Sequence, residues 1–156
     1  MRIRDLQKDD LQSLFDMQKD PESRWMAAFG SRDTDDLQAY LRQMAKIADD
    51  KDAIYKVVEH EDQVAGMVGK WVNEQRHELM YWTDRRFRGV GLTTSAVKEF
   101  LTLFTDRPLY AHTAGDNLTS QAILSNVGFQ KFEEVMSFSE IRNKEIVEVG
   151  YVLAAH

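Results

Sequence analysis

The sequence contains no cysteine, and this absence excludes several kinds of chemistry. Disulfide bonds, cysteine-ligated zinc and a thiol nucleophile are all ruled out. Proline and glycine are also scarce, with two and eight residues in a chain of 156, so no segment has the composition of a flexible linker or a collagen-like repeat. We therefore expect a single domain, residues 1–156.

Long apolar runs and a basic surface are missing as well. The segment Met1–Asp10 has no apolar stretch of signal-peptide length, and no segment is apolar enough to span a bilayer, so we expect a cytoplasmic protein without a membrane partner. The net charge of −6 does not supply the basic face that nucleic acids require, so none is expected as a partner. The exception is a local group of arginines, Arg85, Arg86 and Arg88, which suits a small polyanion.

Hydrophobic periodicity predicts strands and helices that alternate along the chain. The predicted strands are Arg2–Leu6, Ala53–His60, Gln63–Val72, Glu78–Thr83, Pro108–Thr113, Phe129–Glu140 and Lys144–Leu153. The predicted helices are Lys8–Lys19, a helix that starts at Asp33–Asp36 and reaches about Ile47, Leu92–Thr105, and Asn117–Asn126. In the first predicted helix, Leu11, Leu14 and Phe15 stand at helical spacing, with Met17 off that stripe. Asp20-Pro21-Glu22 is interpreted as the end of this helix. This order predicts a mixed α/β fold in which helices interrupt a largely antiparallel sheet.

A loop with two glycines follows the strand that ends at Thr83. Gly89 and Gly91 allow close approach of the backbone to a ligand, and the first N–H groups of the helix that starts at Leu92 have no partner within that helix. Such amides favour a phosphate or pyrophosphate. A Walker loop would need Gly-Lys-Ser/Thr, and a dinucleotide fingerprint would need a third glycine at Thr94, so both fit poorly. An ordinary structural turn remains open.

A second segment, Asn117–Phe129, places two polar groups at the start of a helix. Ser120 lies one turn beyond Asn117 on the same face, so both can point at one ligand. Ala122, Ile123 and Val127 are expected to face the sheet. Asn117 alone is also a common helix N-cap residue.

Three motifs together resemble the GNAT acetyltransferases. Arg86-Phe87-Arg88-Gly89-Val90-Gly91 fits the family pattern Gln/Arg-x-x-Gly-x-Gly/Ala, and the segment from Asn117 to Gly128-Phe129 is similar to the family's second signature helix. Glu78-Leu79-Met80-Tyr81-Trp82 and the opening Arg4–Leu11 look like the RimJ/RimL-like branch, which acetylates protein N-termini and other amines. The resemblance implies a mostly antiparallel sheet of about seven strands whose central strands splay apart.

The resemblance also implies a binding site for acetyl-coenzyme A as co-substrate. Coenzyme A would enter between the strands that hold Tyr81-Trp82 and Tyr110–Thr113, with pantetheine paired to backbone near Trp82 and Thr83 and pyrophosphate on the amides from Arg86 to Thr93. The implied cofactor-binding residues are Tyr81, Trp82, Thr83, Arg86, Arg88, Gly89, Val90, Gly91, Leu92, Thr93 and Asn117. No metal is implied, and no cluster of ligands at suitable spacing suggests one.

Acetyl transfer requires an uncharged amine, so a base or an ordered water must take a proton from the ammonium form. Glu78 is the candidate base, directly or through water, although a solvent-facing strand glutamate is the alternative. His77 and His112 are further candidates, which we interpret as structural. Leu124 stands where many family members have the tyrosine that protonates the thiolate, so this role is assigned to Ser120, to water, or to no group.

The resemblance also implies a site for the oxyanion on the strand that contains Met80. A backbone N–H near Tyr81 or Trp82 would hold the oxyanion if that strand bulges as in the family. Met80 replaces the usual glycine there.

The acceptor is an amine of a small molecule or a protein N-terminus, and the sequence does not decide between them or whether the chain forms a homodimer. A non-catalytic coenzyme A binder is the competing function, supported by Leu124.

Overall fold

Seven strands form one sheet in the order β1-β2-β3-β4-β5-β7-β6, and every neighbouring pair is antiparallel except β4 and β5. The structure, a computed structural model, describes residues 1–30 and 36–155. The strands are β1 Arg2–Asp5, β2 Ile54–His60, β3 Gln63–Asn73, β4 Arg76–Thr83, β5 Leu109–Ala114, β6 Gln130–Ser139 and β7 Lys144–Leu153. The helices are α1 Leu11–Gln18, α2 Pro21–Ala27, α3 Leu37–Asp49, α4 Leu92–Leu103 and α5 Leu118–Asn126. The predicted fold class, a mixed α/β fold with a largely antiparallel sheet, is confirmed.

The parallel pair β4–β5 is short, and this is the feature that positions the site. Only His77–Leu109 and Glu78–Tyr110 are in register as partners. Beyond them β4 continues to Thr83 and β5 to Ala114, but the two strands no longer pair. We call this point of divergence the fork. The splayed central strands that the resemblance implied are therefore present.

Successive strand residues point to opposite sides of the sheet. Both sides carry apolar residues, and helices cover both. On one side, the α4 face, Leu79, Leu109 and Val149 pack with Val97 and Phe100 of α4 in the main core. On the other, the α1 face, apolar residues of the sheet pack with α1 and α3. This second cluster includes Leu14, Met17, Met44, Val57 and Met67, with Met80 and Trp82 packed against it.

One helix, α2, was missed by sequence reasoning. Asp20-Pro21 was interpreted as a stop, whereas Asp20 caps a new helix by accepting a hydrogen bond from Ser23 N–H at 3.1 Å, and Pro21 occupies its first position. Proline is well tolerated there because an N–H group at the first helical position would have no acceptor within the helix. The first helix accordingly divides into a short 3₁₀ turn at Lys8–Asp10 and α1.

Two smaller predictions were also wrong. Met17, placed off the apolar stripe of the first helix, is buried with Leu14. In α5, Ala122 is exposed while Leu124 is buried, although Ile123 and Val127 do pack on the core as expected. The predicted helix start at Asp33–Asp36 is described only at its last residue, Asp36, which caps α3; 33–35 lie outside the described residues. None of the described helices is long and apolar enough to cross a membrane.

Candidate active site

The predicted glycine loop leads directly from β4 into α4. After a 3₁₀ turn at Arg85–Phe87, Gly89 and Gly91 adopt φ angles of +81° and +74°, and Gly91 is the left-handed N-cap of α4. A β-carbon at either glycine would meet nothing within 4 Å. The conformation, rather than crowding within the chain, therefore requires glycine at these two positions.

The amides of this loop are free to bind an anion. No hydrogen bond joins the N–H groups of residues 89–94 to another described residue, although the carbonyl of Gly91 accepts from Ser95 N–H at 3.1 Å. These N–H groups lie at the positive end of α4, a helix of 12 residues. Unpaired amides at a helix N-terminus favour phosphate groups. Phosphate binding by Gly89, Val90, Gly91, Leu92 and Thr93 stays a prediction.

The arginines of the loop are bonded to nearby side chains. Arg86 donates to Asp84 Oδ2 at 3.0 Å, and Arg88 donates to the hydroxyl of Ser23 in α2. Arg85 contacts Asp20 at 3.2 Å. Because the side chain of Arg86 is 66% exposed, its ion pair contributes at most about 1 kcal/mol. A bound phosphate can therefore compete with Asp84 for this guanidinium.

The backbone of β4 presents alternate residues to the fork. β3 and β4 pair in continuous register from Asn73–Arg76 to Gly66–Thr83, so the bulge on which the sequence-based oxyanion site depended is absent from this stretch. Asp84 N–H donates to Ala65 O at 2.8 Å. By the alternation of an antiparallel ladder, the N–H and C=O groups of Trp82 then bond to β3, whereas those of Tyr81 and Thr83 face the fork.

Two hydroxyl groups meet on the α4 face of the fork. The phenol oxygen of Tyr81 lies 2.5 Å from Ser120 Oγ. This contact connects β4 to α5, the helix that follows β5. Asn117 caps α5, since its Oδ1 accepts from Ser120 N–H at 3.1 Å. Leu124 is 1% exposed and belongs to the main core, so it takes no part in the site. Sequence reasoning had considered only the backbone of Tyr81 and had overlooked its hydroxyl.

A carboxylate and an imidazole meet on the opposite, α1 face. His112 Nδ1 lies 3.0 Å from Glu78 Oε2, and Glu78 is only 3% exposed. The alternative of a solvent-facing strand glutamate is therefore wrong. This hydrogen bond is the main reason that the pKa of His112 is raised, and partial burial opposes it. Sequence reasoning had considered His112 structural, and the register of β4 and β5 brings it to the candidate base.

A second acidic residue reaches the same imidazole from β6. Glu133 Oε1 lies 3.6 Å from His112 Nε2. The β6–β7 register shifts between Lys131 and Glu133, which leaves Phe132 as an extra residue, and such bulges often redirect side chains beside active sites. Gly150, which pairs with both His112 and Glu133, leaves the space that Phe132 and Glu133 occupy.

His77, the other candidate base, is not part of this arrangement. Its ring packs on Phe104 at 5.1 Å between centroids, and its Nδ1 lies 3.2 Å from Lys70 Nζ.

Among the described residues, no group of three or more His, Cys, Asp or Glu side chains has a geometry that could hold a metal ion. Trp82 Nε1 is buried and donates to no described acceptor. The pairs Tyr81–Ser120 and Glu78–His112 thus lie on opposite faces of one fork.

Several solved structures share this architecture. A ribosomal-protein-alanine N-acetyltransferase from Brucella melitensis superposes with a TM-score of 0.85 at 18% identity, over 99% of this chain and 100% of that chain. A spermidine N-acetyltransferase from Vibrio cholerae, in complex with CoA and spermine, gives 0.81 at 18% identity, over 98% and 95%. RimL, a ribosomal L7/L12 acetyltransferase in complex with coenzyme A, gives 0.80 at 13% identity, over 97% and 92%. At these identities the likeness establishes the fold.

The sequence comparison establishes the family. A search of curated protein sequences gave no significant match. Residues 1–130, however, match the family described as the acetyltransferase (GNAT) domain, and this range contains the glycine loop, the fork and α5. The chain belongs to the GNAT acetyltransferase family.

Proposed function

We propose that the protein transfers an acetyl group from acetyl-coenzyme A to an amine by direct attack in a ternary complex. The observation that carries the proposal is the fork beside free loop amides. β4 and β5 stop pairing after Glu78–Tyr110, and the amides of residues 89–94 lie at the start of the helix that follows β4. A phosphate-bearing thioester can occupy both features at once.

Coenzyme A fits this arrangement in two parts. The pyrophosphate binds the amides from Gly89 to Thr93, with Arg86 and Arg88 available as charged donors. The pantetheine arm lies along the open edge of β4 and pairs with the backbone of Tyr81 and Thr83, as an added strand would. Support comes from the similar folds of RimL and the spermidine N-acetyltransferase, whose structures contain CoA.

The reaction needs one group to accept a proton and one to supply it. The pair of Glu78 and His112, on the α1 face, is assigned to removal of the amine proton. The hydroxyl pair Tyr81–Ser120, on the α4 face, is assigned to protonation of the leaving thiolate. The N–H of Tyr81 faces the fork and can stabilise the oxyanion that forms on the acetyl carbonyl.

Placement contributes more than any single side chain. Holding two reactants in attack geometry can supply about 7–11 kcal/mol of the barrier, whereas one general base typically gives about 10²–10⁴ in rate. The acceptor is an amine, and ribosomal-protein alanine and spermidine are the acceptors named for two proteins of similar fold. Three glutamates around His112 favour a cationic acceptor on the α1 face.

A binding measurement and an activity measurement test this function separately. At a hundredfold excess over Kd, acetyl-CoA should stabilise the fold by about 2.7 kcal/mol, which raises Tm by roughly 2–4 °C per kcal/mol for a domain of this size. Release of free thiol from acetyl-CoA is then followed with two acceptors, spermidine and a peptide whose N-terminal residue is alanine. A Tm shift with ATP or NAD but not with acetyl-CoA would refute the proposal. Binding without thiol release would favour the non-catalytic coenzyme A binder.

A further inference from the structure

We propose that His112, oriented by Glu78, is the base that takes the proton from the acceptor amine. This inference deepens the proposed acetyl transfer and rests on it. Its starting point is position: Glu78 is the last β4 residue paired to β5, and His112 follows Tyr110 as the next β5 residue on the same face. The imidazole therefore lies at the fork, where acceptor and thioester would meet.

Access distinguishes the two members of the pair. The side chain of Glu78 is 4% exposed and that of His112 is 23% exposed. A substrate that enters from the α1 face therefore reaches the imidazole before it reaches the carboxylate. Glu78 is thus a positioning residue that acts through His112.

The hydrogen bond fixes which ring nitrogen is available. Glu78 Oε2 accepts from His112 Nδ1 at 3.0 Å, whereas Glu133 Oε1 is 3.6 Å from Nε2, beyond hydrogen-bond distance. In the neutral imidazole the proton stays on Nδ1, so that the lone pair of Nε2 is free to accept a second proton. A carboxylate that orients a histidine in this way also stabilises the imidazolium that forms.

Charges from three strands surround this imidazole. Glu78 of β4, Glu133 of β6 and Glu148 of β7 all raise the pKa of His112, with the Glu78 hydrogen bond as the largest cause and partial desolvation in opposition. Arg76 stacks over the ring of Tyr110, at 4.5 Å from its centroid, and is not among the groups that shift the pKa of His112. The excess of carboxylates attracts an ammonium group to Nε2 and makes Nε2 a stronger base.

The proton and electron balance is simple. His112 Nε2 takes one proton from R–NH₃⁺ and later releases it to solvent. The neutral amine attacks the thioester carbonyl carbon, a C–N bond forms, and the C–S bond breaks with its electron pair on sulfur. The nitrogen releases its remaining extra proton to solvent, the thiolate gains one from the Tyr81–Ser120 hydroxyl pair, and solvent restores the proton to that pair. The products are an amide, coenzyme A thiol and one proton in solution.

The test compares the pH dependence of kcat/KM for His112→Gln, Glu78→Gln and the wild type. If His112 is the base, His112→Gln lowers the rate by about 10²–10⁴ and abolishes the acidic limb. Glu78→Gln lowers the rate but keeps the acidic limb of the pH profile. This limb moves to lower pH, because the variant removes the carboxylate that is the main cause of the raised pKa of His112. The reverse pattern, with the limb lost in Glu78→Gln and retained in His112→Gln, would overturn the inference.

Two further measurements keep the test decisive. His77→Gln is the matched control, since His77 precedes Glu78 on β4 but points to the α4 face, and it should keep the wild-type rate and limb. NMR titration of the His112 ring needs no substrate: its pKa should fall in Glu78→Gln and less in Glu133→Gln. An unchanged His112 titration in Glu78→Gln would refute the positioning role even if His112→Gln fails to fold. A wild-type protein that binds acetyl-CoA but acetylates no amine would refute the proposed function, and this inference with it.

Discussion

Glu78 and His112 join β4 to β5 through their side chains at the point where the backbones stop pairing. The two residues are separated by 34 positions in the sequence, and their 3.0 Å contact lies where the fork begins. This hydrogen bond joins the two strands, while the main-chain groups of Tyr81 and Thr83 do not pair with β5. The same pair therefore links the stability of the fold to the chemistry of the site.

The first prediction concerns the pH dependence of stability. The folded state raises the pKa of His112 above its unfolded value of about 6.5, so its stabilisation is complete below that value and is lost as pH rises through the folded pKa. The difference in unfolding free energy between wild type and His112→Gln should shrink as pH rises from about 6.5 through the raised pKa of the folded state. Urea denaturation at several pH values measures this. The same difference in a Glu78→Gln background should be smaller and flatter, and an equally steep dependence there would contradict the assignment.

A second prediction concerns Gly91→Val. The positive φ angle of +74° means that a β-branched residue costs about 1–2 kcal/mol of stability, and its side chain would project into the space assigned to the pyrophosphate. We expect the Kd for acetyl-CoA to rise at least about tenfold, or about 1.4 kcal/mol. Calorimetric titration and urea denaturation measure the two effects.

Gly128→Ala is the matched control for this prediction. Gly128 has φ +103° at the end of α5, so alanine there introduces comparable backbone strain away from the loop. It should reduce stability and leave acetyl-CoA affinity unchanged. Equal losses of affinity in both variants would show that the glycines of the loop are structural.

The contrast between local and distant features explains what the sequence could predict. The glycine loop was predictable because its functional groups are backbone amides within one contiguous segment, and the fold followed from hydrophobic periodicity and the family resemblance. Helix α2 was missed because Asp20-Pro21 is compatible with both the end of one helix and the start of the next. The Glu78–His112 and Tyr81–Ser120 contacts depend on strand register and on the position of α5, which no local pattern records.

A third prediction separates the two hydroxyls on the α4 face. Burial raises the pKa of Tyr81 to about 12, so the phenol remains protonated across any practical assay range and should cause no loss of activity on the alkaline side. Tyr81→Phe should lower kcat more than Ser120→Ala does if the phenol is the proton donor. Both effects should be smaller than that of removing the base, because a thiol with a pKa near 8.5 leaves without much help.

Tyr151→Phe is the control for the hydroxyl series. The Tyr151 hydroxyl donates to Gln121 Oε1 of α5 at 2.9 Å, so this variant also removes a phenol oxygen that contacts the same helix. Steady-state kinetics with acetyl-CoA and one amine should give a wild-type kcat for this variant. A Tyr81→Phe enzyme as fast as Tyr151→Phe would show that the Tyr81 phenol is not the group that protonates the thiolate.

The last prediction tests how the sheet delivers Glu133 to the imidazole. Gly150 pairs with His112 on one side and with Glu133 on the other, and a β-carbon at Gly150 would lie 2.8 Å from Glu133 Cγ and 2.9 Å from Phe132 Cε1. Gly150→Ala must therefore displace the bulged segment of β6, at a cost of about 1–3 kcal/mol for an overpacked site. Because Glu133 would move away from Nε2, the pKa of His112 should fall and a cationic amine should bind more weakly, with a higher KM. Glu133→Gln removes the charge without crowding the sheet, so it should reproduce the changes in pKa and KM but leave stability nearly unaltered. Kinetics at fixed acetyl-CoA, combined with NMR titration of His112, would distinguish the two contributions. If Gly150→Ala loses stability while KM and the His112 titration stay at their wild-type values, the bulge shapes the sheet edge only, and Glu133 has no part in holding the acceptor.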